Sequence, residues 1–352
     1  MKWTRVLTAA AVGGLLFAAP TSHAEAATCR HAQGPFSVRN GHMTDRTGRF
    51  TPYGINLTRI ELRNGSYSET IATNEAQENA AASAYWCANL IRMPVSVPAL
   101  IVHGKTNRSY LSAIDAVVKH GEADGLAVVL VGSRSWTPIM QMPEYPALEM
   151  WRTLAYHYGR DHQVIFDLWN EPHESSWWAW RNGGRENGKR FYGMQYLANY
   201  IRSQHATNLL WIEGIHVGGD LRQVPKYRIA HDGPIAYSIH RPPGAHDSAT
   251  WWSYYGFLAG HFALVEGEWA MYSRTNAGWA CWGNAKTSVP AYFRWLAKKQ
   301  IGIVAFDLAS PRLLESNSLT DPNRIKSNWA CRTGLNQGAG HQTMAWFHLH
   351  NG

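Results

Sequence analysis

The chain has 352 residues, of which 45% are hydrophobic, 12% aromatic and only 16% charged. This composition excludes an intrinsically disordered protein and supplies enough apolar residues for one large core. The formal net charge of +8 is spread along the chain without a run of lysine and arginine. The sequence therefore predicts neither a nucleic-acid-binding arm nor a polybasic membrane anchor.

Residues 1–27 have the features of a secretory signal peptide. Lys2 and Arg5 precede an apolar stretch from Val6 to Ala19, and small residues near position 26 offer cleavage sites. No later apolar run approaches the roughly 18 residues that a membrane-spanning helix needs. The residues before Cys29 also lack the pattern of a lipoprotein. We therefore expect a secreted protein without a membrane anchor, in which residues 28–352 form one catalytic domain.

Short apolar runs rich in valine, isoleucine and leucine alternate with helix-like stretches along the chain. This pattern is typical of parallel strands that are buried on both faces and linked by crossover helices. An open doubly wound sheet would need a glycine-rich turn after the first strand, where Thr58 and Arg59 stand. We predict an α/β fold, a single (β/α)8 TIM barrel. The eight predicted strands are Tyr53–Leu57, Asn89–Pro94, Leu126–Val131, Val164–Trp169, Leu209–Glu213, Ile235–Ile239, Ala263–Glu268 and Ile301–Phe306; the predicted helices are Asn74–Ala88, Tyr110–Lys119, Tyr145–Tyr158, Phe191–His205, Thr250–Leu258 and Pro290–Lys299.

The four cysteines have no C-x-x-C spacing, and an even number in an exported protein predicts two disulfides with three possible pairings. The barrel would place Cys29 and Cys87 near one end, and Cys281 and Cys331 in successive loops at the other. We therefore predict the pairs Cys29–Cys87 and Cys281–Cys331. The 17 histidines show no H-E-x-x-H spacing, so we expect no metal and no other cofactor.

Two glutamates end predicted strands on the face where barrel enzymes carry their reacting groups. Glu171 follows the fourth strand and Glu268 ends the seventh, so they should face each other across the mouth of the barrel. One such carboxyl group can protonate a leaving oxygen while the other attacks the carbon that it leaves. Glu266 would point to the same side as Glu268 and is a competing candidate, which we place second because Glu268 stands at the strand end. Glu213 also ends a predicted strand, but no motif marks it as catalytic.

The motifs around these glutamates resemble glycoside hydrolase family 5, a cellulase-like family of the retaining (β/α)8 glycosidase clan. The similarity extends along most of the mature chain and rests on five segments in order, Tyr53-Gly54-Ile55-Asn56, Asn89-Leu90-Ile91-Arg92-Met93-Pro94, Asn170-Glu171-Pro172, Tyr237-Ser238-Ile239-His240 and Gly267-Glu268-Trp269.

The resemblance implies a role for each matching residue. Glu171 would be the general acid/base and Glu268 the nucleophile that forms a glycosyl-enzyme intermediate. Asn170 would hydrogen-bond the sugar 2-hydroxyl. Arg92 would keep Glu268 ionised, and His240 would orient or tune Glu171 through a hydrogen bond.

Three positions depart from the family pattern. A histidine usually follows the third strand, where this chain has only Ser133 or Arg134 to offer. Pro242 stands where a tyrosine commonly follows the sixth-strand histidine, so Tyr254 or Tyr255 is the candidate replacement. The eighth strand ends in Phe306 rather than in a tryptophan. These departures concern sugar binding and leave the carboxylate pair intact.

Seventeen tryptophans, several of them in predicted loops, suit stacking against sugar rings. The candidates are Trp136, Trp177 and Trp269, and the alternative for each is ordinary packing.

The first expectation is a secreted retaining glycoside hydrolase of the endo-β-1,4-glucanase type that binds a polysaccharide or oligosaccharide as a monomer. The alternatives are an exo-acting β-glycosidase or β-mannanase of the same fold, and a catalytically silent carbohydrate-binding barrel. Retention requires carboxyl groups about 5 to 5.5 Å apart, whereas inversion requires about 6.5 to 9.5 Å.

Overall fold

The computed structural model describes residues 29–58, 78–79, 82–134, 142–174, 176–230, 233–241, 248–269, 288–308, 313–314 and 339–352. The predicted signal peptide, Trp136, Pro242, Cys281, Cys331 and residues 74–77 and 80–81 of the predicted helix Asn74–Ala88 lie outside these residues. Within them, no helix combines the length and the apolar character that crossing a membrane requires.

Eight parallel strands form a closed barrel, and each corresponds to a predicted strand. Closure occurs where Ile303 of the eighth strand pairs with Tyr53 of the first. The prediction of a single (β/α)8 barrel is therefore confirmed. The strands are Tyr53–Asn56, Leu90–Ser96, Ala127–Ser133, Val164–Asp167, Leu210–Glu213, Ile235–Ile239, Ala263–Trp269 and Gly302–Ala305.

Helices cover the outside of the barrel. The helix Tyr145–Tyr158 has the predicted bounds. The helix predicted from Phe191 begins only at Met194, because Lys189–Phe191 is a strand of a small hairpin. The other long helices are Arg108–Ala123, Ser248–Tyr254 with the 3₁₀ turn Gly256–Leu258, Ser288–Lys299 and Ala339–Asn351, and the short ones are Val97–Leu100, Trp177–Asn182 and Val224–Tyr227.

Three small antiparallel sheets, which the sequence analysis did not predict, complete the described fold. The N-terminal sheet consists of Ser37–Arg39, His42–Asp45 and Gly48–Arg49. Gly184–Glu186 pairs with Lys189–Phe191, and this hairpin follows the short helix Trp177–Asn182. Ile101–Val102 pairs with Lys105–Thr106.

The apolar core has two layers because successive strand residues point alternately into the barrel and toward the helices. The inner layer includes Leu90, Val129 and Trp211, and buried residues of the N-terminal segment, such as Phe36 and Phe50, pack against it. The side chains of Phe36 and Phe50 thus close the end of the barrel at which the strands start. The opposite end stays available for polar groups.

The same closed end holds the two ends of the described chain together. Cys29 and Cys87 form a disulfide with 5.1 Å between their Cα atoms, which confirms this predicted pair. Asn351, at the end of the last helix, donates from Nδ2 to the carbonyl oxygens of Arg30 and Cys87. The N-terminal segment, the approach to the second strand and the last helix are thereby joined.

Candidate active site

The polar groups of the inner layer lie at or near the carboxyl ends of their strands, except for Arg92, which is the third residue of the strand Leu90–Ser96. Asn56, Arg92, Asp167, Glu213 and Ser238 each lie in a barrel strand and are all buried. Arg92 on the second strand is the centre of this group.

Arg92 donates hydrogen bonds from every nitrogen of its guanidinium group. Nε donates to Asp167, Nη1 to Asn56 and Glu268, and Nη2 to Asn170 and Glu213, at distances from 2.5 to 3.1 Å. These five bonds use the five N–H groups of an arginine, so the side chain has a single defined orientation. Burial alone would lower the pKa of Arg92, but the three neighbouring carboxylates raise it and keep the group charged.

Glu268 reaches Arg92 because the seventh strand is irregular. Its pairing with the eighth strand shifts register between Glu266 and Trp269. Glu266 follows the inner-layer residue Val265 and so points toward the helices, where it accepts hydrogen bonds from the Arg241 backbone N–H at 2.8 Å and from the Tyr292 hydroxyl at 2.5 Å. The shift after Glu266 turns Glu268 inward instead. The expectation that Glu266 shares the side of Glu268 is wrong, because strict alternation does not continue through the irregularity.

Gly267, between the two glutamates, lies against the sixth strand. A Cβ atom at this position would lie 2.1 Å from the Ser238 hydroxyl oxygen and 3.1 Å from His240 Nε2. Only glycine allows the seventh strand to approach the sixth so closely, and this approach brings Glu268 near His240.

Glu171 follows the fourth strand with a left-handed backbone, φ 48°. Its backbone N–H donates to Glu213 Oε2 at 2.6 Å, while the preceding Asn170 N–H donates to the Gly132 carbonyl at 2.7 Å. These bonds fix the turn that carries Asn170 and Glu171 out of the strand. Burial raises the pKa of Glu171 to about 7, against the opposing charge of Arg92, so the side chain can hold a proton near neutral pH.

His240 lies between the two predicted catalytic glutamates. Its Nδ1 atom is 3.4 Å from Glu171 Oε1 and 3.7 Å from Glu268 Oε2. Burial lowers the pKa of His240 to about 3, although the charge of Glu268 opposes this effect, so the ring is neutral. One atom from each of these three side chains lies within 4.8 Å of the other two.

Burial also raises the pKa of Glu268, while His240 and Arg92 oppose the rise. Arg92 therefore favours the ionised form of Glu268 without lowering its pKa below the ordinary value. The reason is that the burial of Glu268 and the charge of Glu171 outweigh the opposing effects of His240 and Arg92. Burial raises the pKa of Asp167, and burial together with the charge of Asp167 raises that of Glu213 well above its usual range.

Metal-ligand spacing occurs at two places among the described residues. Glu171, His240 and Glu268 are close enough together to act as ligands of one metal ion. In this structure, however, Glu268 forms an ion pair with Arg92. In the other set, Cys29 and Cys87 form a disulfide beside His348 and offer no thiolate.

A family model for cellulases, glycosyl hydrolase family 5, matches residues 49–310. The chain belongs to glycosyl hydrolase family 5. It is thus a cellulase-like glycoside hydrolase, in a family for which a retaining mechanism is typical. A comparison with curated protein sequences finds no match.

Solved structures share the family 5 barrel. A β-glucanase from Saccharophagus degradans has 18% sequence identity and a TM-score of 0.66, covering 91% of this chain and 93% of its own. The catalytic domain of the major endoglucanase from Xanthomonas campestris pv. campestris has 18% identity and a TM-score of 0.61, with coverages of 83% and 99%. An endocellulase from Pyrococcus horikoshii has 16% identity and a TM-score of 0.60, with coverages of 85% and 99%. At these identities the likeness establishes the fold.

The structure shows the contacts of the residues that were considered as replacements at the positions departing from the family 5 pattern. Ser133 is buried at the end of the third strand, and Arg134 forms an ion pair with Glu144 at 3.1 Å. Tyr255 hydrogen-bonds Tyr292 at 2.7 Å on the helix side, and the guanidinium of Arg241 stacks on Tyr254. Neither tyrosine has a described hydrogen bond to Glu268, so the structure does not support either as the replacement.

Two of the tryptophans predicted to stack on sugar are packed in the protein. Trp269 is fully buried against Phe293, and Trp177 is 6% exposed between Trp180 and Tyr227. A stacking platform must present its ring face to the ligand, so this geometry favours packing for both. In the same helix as Trp177, Trp178 is 61% exposed.

Glu213 and Asp167 belong to the site although no sequence motif assigned them a role, and Glu213 has the more contacts. Glu213 is fully buried and contacts Arg92, His240 and the backbone of Glu171. The sequence did contain a pattern that could have identified Glu213. Side chains alternate along the fifth strand, so Glu213 lies on the same inward face as Trp211.

Proposed function

We propose that this protein is a secreted, retaining glycoside hydrolase that cleaves β-1,4-glucan within the chain. The observation that carries the retaining assignment is the short separation of the two glutamates. A carboxylate oxygen of Glu171 lies within 4.8 Å of one of Glu268. This supports direct attack, because an inverting pair needs about 6.5 to 9.5 Å to admit a water molecule.

In the first step, Glu268 attacks the anomeric carbon while the bond from that carbon to the leaving oxygen breaks. Arg92 engages Oε1 of Glu268, so we assign the attack to Oε2. Glu171 donates its proton to the leaving oxygen, which departs as a neutral hydroxyl group. A pKa of about 7 suits Glu171 to this role because the group is protonated up to neutral pH.

In the second step, Glu171 acts as a base. It takes a proton from a water molecule whose oxygen attacks the anomeric carbon, and the bond to Glu268 breaks. The free sugar keeps its β configuration, and both glutamates return to their starting states. Asn170, held by Arg92 at 2.8 Å, is placed to hydrogen-bond the sugar 2-hydroxyl.

The β-1,4-glucan substrate is proposed from the structural relatives. The Saccharophagus degradans β-glucanase and a Thermobifida fusca endoglucanase have both been crystallised with cellotetraose. Export is supported by residues 1–27, whose sequence has the features of a secretory signal peptide, and by the Cys29–Cys87 disulfide, since disulfides persist in oxidising compartments.

The test is hydrolysis by the purified mature protein of β-glucans, β-mannans, xylans and aryl β-glycosides, with proton NMR of the first sugar released. We expect cello-oligosaccharides of mixed length from β-1,4-glucan, each released as the β anomer. Glu268→Ala should remove activity, whereas Glu186→Gln, on the exposed hairpin, should leave it unchanged.

Each other result has a defined meaning. Release of the α anomer would refute retention, and release of single sugars or disaccharides from one end would establish exo action. Activity on β-mannan alone would show that the substrate is β-mannan and not β-1,4-glucan. Glycan binding without hydrolysis of any substrate would establish a catalytically silent barrel.

A further inference from the structure

Glu213 links three parts of the site although its position excludes direct attack on a sugar. Its side chain is fully buried at the end of the fifth strand. Oε1 accepts a hydrogen bond from Arg92 Nη2 at 2.7 Å and lies 3.3 Å from His240 Nε2. Oε2 accepts the backbone N–H of Glu171 at 2.6 Å.

We propose that Glu213 is a positioning residue that holds the acid/base Glu171 in its left-handed turn and fixes the tautomer of His240. This inference rests on the proposed glycosidase function and adds a role to that same site. It predicts that Glu213 acts on the proton donor and not on the attacking carboxylate.

The backbone contact is the first argument. A non-glycine residue with φ 48° is uncommon, and it persists where surrounding groups determine it. The Glu213 carboxyl group supplies such a constraint, because its hydrogen bond ends on the N–H of Glu171 itself. The neighbouring loops add two bonds, from the Val217 N–H to the Pro172 carbonyl and from the His216 N–H to the Glu174 carbonyl.

The imidazole contact is the second argument. His240 presents Nε2 to Glu213 and Nδ1 to Glu171, at 3.3 and 3.4 Å. A neutral histidine carries one ring proton, and the negative carboxyl oxygen 3.3 Å from Nε2 favours the proton on that nitrogen electrostatically, although the contact lacks the angle of a hydrogen bond. The lone pair of Nδ1 then faces Glu171 and accepts a hydrogen bond from its protonated carboxyl group. This arrangement orients the proton that is to be transferred.

The space around these contacts is also restricted. Gly218 has φ +74°, and a Cβ atom there would lie 3.0 Å from Glu213 Oε2 and 3.1 Å from His240 Cβ. The Gly218 carbonyl oxygen accepts the backbone N–H of His240 at 2.9 Å. Glycine at this position therefore lets the loop after the fifth strand pack directly on both side chains.

The dependence of kcat/KM on the leaving group shows whether Glu213 acts through the acid Glu171 or through the nucleophile Glu268. An aryl β-cellobioside with a 2,4-dinitrophenyl group departs without protonation, whereas a phenyl group needs the acid. Glutamine cannot replace both oxygens of Glu213 as acceptors, because one end of its amide is a donor. For Glu213→Gln we expect kcat/KM to fall by about 100-fold or more with the phenyl substrate and by less than about fivefold with the dinitrophenyl substrate.

Two variants provide the comparison. Glu171→Gln should show the same selective loss. Asn56→Ala is the control, because Asn56 is also a buried side chain bonded to Arg92 but has no described contact with Glu171, Glu213 or His240. Its effect should be similar for both substrates. Equal losses for both substrates in a folded Glu213→Gln protein, or no loss for either, would overturn the proposal.

A measurement that does not depend on activity separates this proposal from the proposed function. Nitrogen-15 NMR of histidine-labelled protein, with the His240 signals assigned from a His240→Asn variant, reports which ring nitrogen carries the proton. We expect the Nε2–H form in the wild type and a change in the tautomer in Glu213→Gln. An Nδ1–H ring in the wild type, or the same tautomer in both proteins, would refute the role assigned to Glu213. Wild-type inactivity on every glycoside would instead refute the glycosidase proposal.

Discussion

Replacing Glu171 with glutamine should stabilise the folded protein at alkaline pH. Burial raises the pKa of Glu171 from 4.5 to about 7, so the folded protein holds this proton more tightly than the unfolded chain does. The contribution of the group to stability is therefore lost as the pH rises from the unfolded pKa through the folded pKa. Glutamine has nearly the same shape and does not ionise, so it avoids this loss.

The magnitude follows from the two pKa values. The interval from 4.5 to about 7 corresponds to about 3.4 kcal/mol, at 1.36 kcal/mol for each pH unit. Part of this loss of folding free energy has already occurred at about pH 5, because Glu171 is partly ionised in the unfolded chain at that pH. The side chain is 24% exposed, so solvent reduces the remainder. We expect the stability advantage of Glu171→Gln to grow by about 2 kcal/mol between about pH 5 and about pH 8.

The assay is urea unfolding followed by tryptophan fluorescence at several pH values across this interval. Glu186→Gln, which removes an exposed carboxylate from the hairpin, is the matched control and should show no such trend. Comparison of each variant with the wild type cancels the pH dependence of all other groups. An advantage for Glu171→Gln that stays constant from pH 5 to pH 8, or that shrinks, would refute the assigned rise in pKa.

Three further predictions concern the site and the closed end of the barrel. The kcat/KM for substrates that need acid catalysis should fall as the pH rises through about 7, because Glu171 must carry its proton; a profile that is flat to about pH 9 would contradict this assignment. Arg92→Met should lower the free energy of unfolding by about 3 to 5 kcal/mol, since it leaves three buried carboxylates without their counter-charge, and urea unfolding measures this loss. A variant with serine at Cys29 and Cys87 should lose about 4 kcal/mol of stability in the chain-entropy description, because the disulfide joins residues 58 positions apart; an unchanged urea midpoint would contradict that value.

The barrel strands could be predicted because each is buried on both faces and therefore forms a continuous apolar run. The N-terminal sheet gives no such signal. Its strands have two to four residues, most of them polar and partly exposed. Their position depends on the packing of Phe36 and Phe50 against the inner layer, which involves residues far away in the sequence.

Sequence also identified Asn170, Glu171, His240 and Glu268, which the structure brings together near Arg92, since the barrel places the ends of its strands at one mouth. It did not identify the roles that depend on contacts between strands. Glu213 acquires its contacts from a backbone N–H and from two other strands. Glu266 and Glu268 point to different sides of the strand because of a local register shift, and no residue pattern in the sequence predicts that shift.

Barrel closure affects the order in which this protein can fold. Ile303 and Tyr53 pair across nearly the whole chain, so the first and last strands remain unpaired edges until the eighth strand has formed. Contacts of such long sequence separation slow folding, and unpaired edges promote aggregation meanwhile. Asn351 reaches the N-terminal segment only from the end of the final helix, so this bond forms among the last. Conditions that delay the arrival of the last strand and helix should therefore reduce the yield of folded protein more than its final stability.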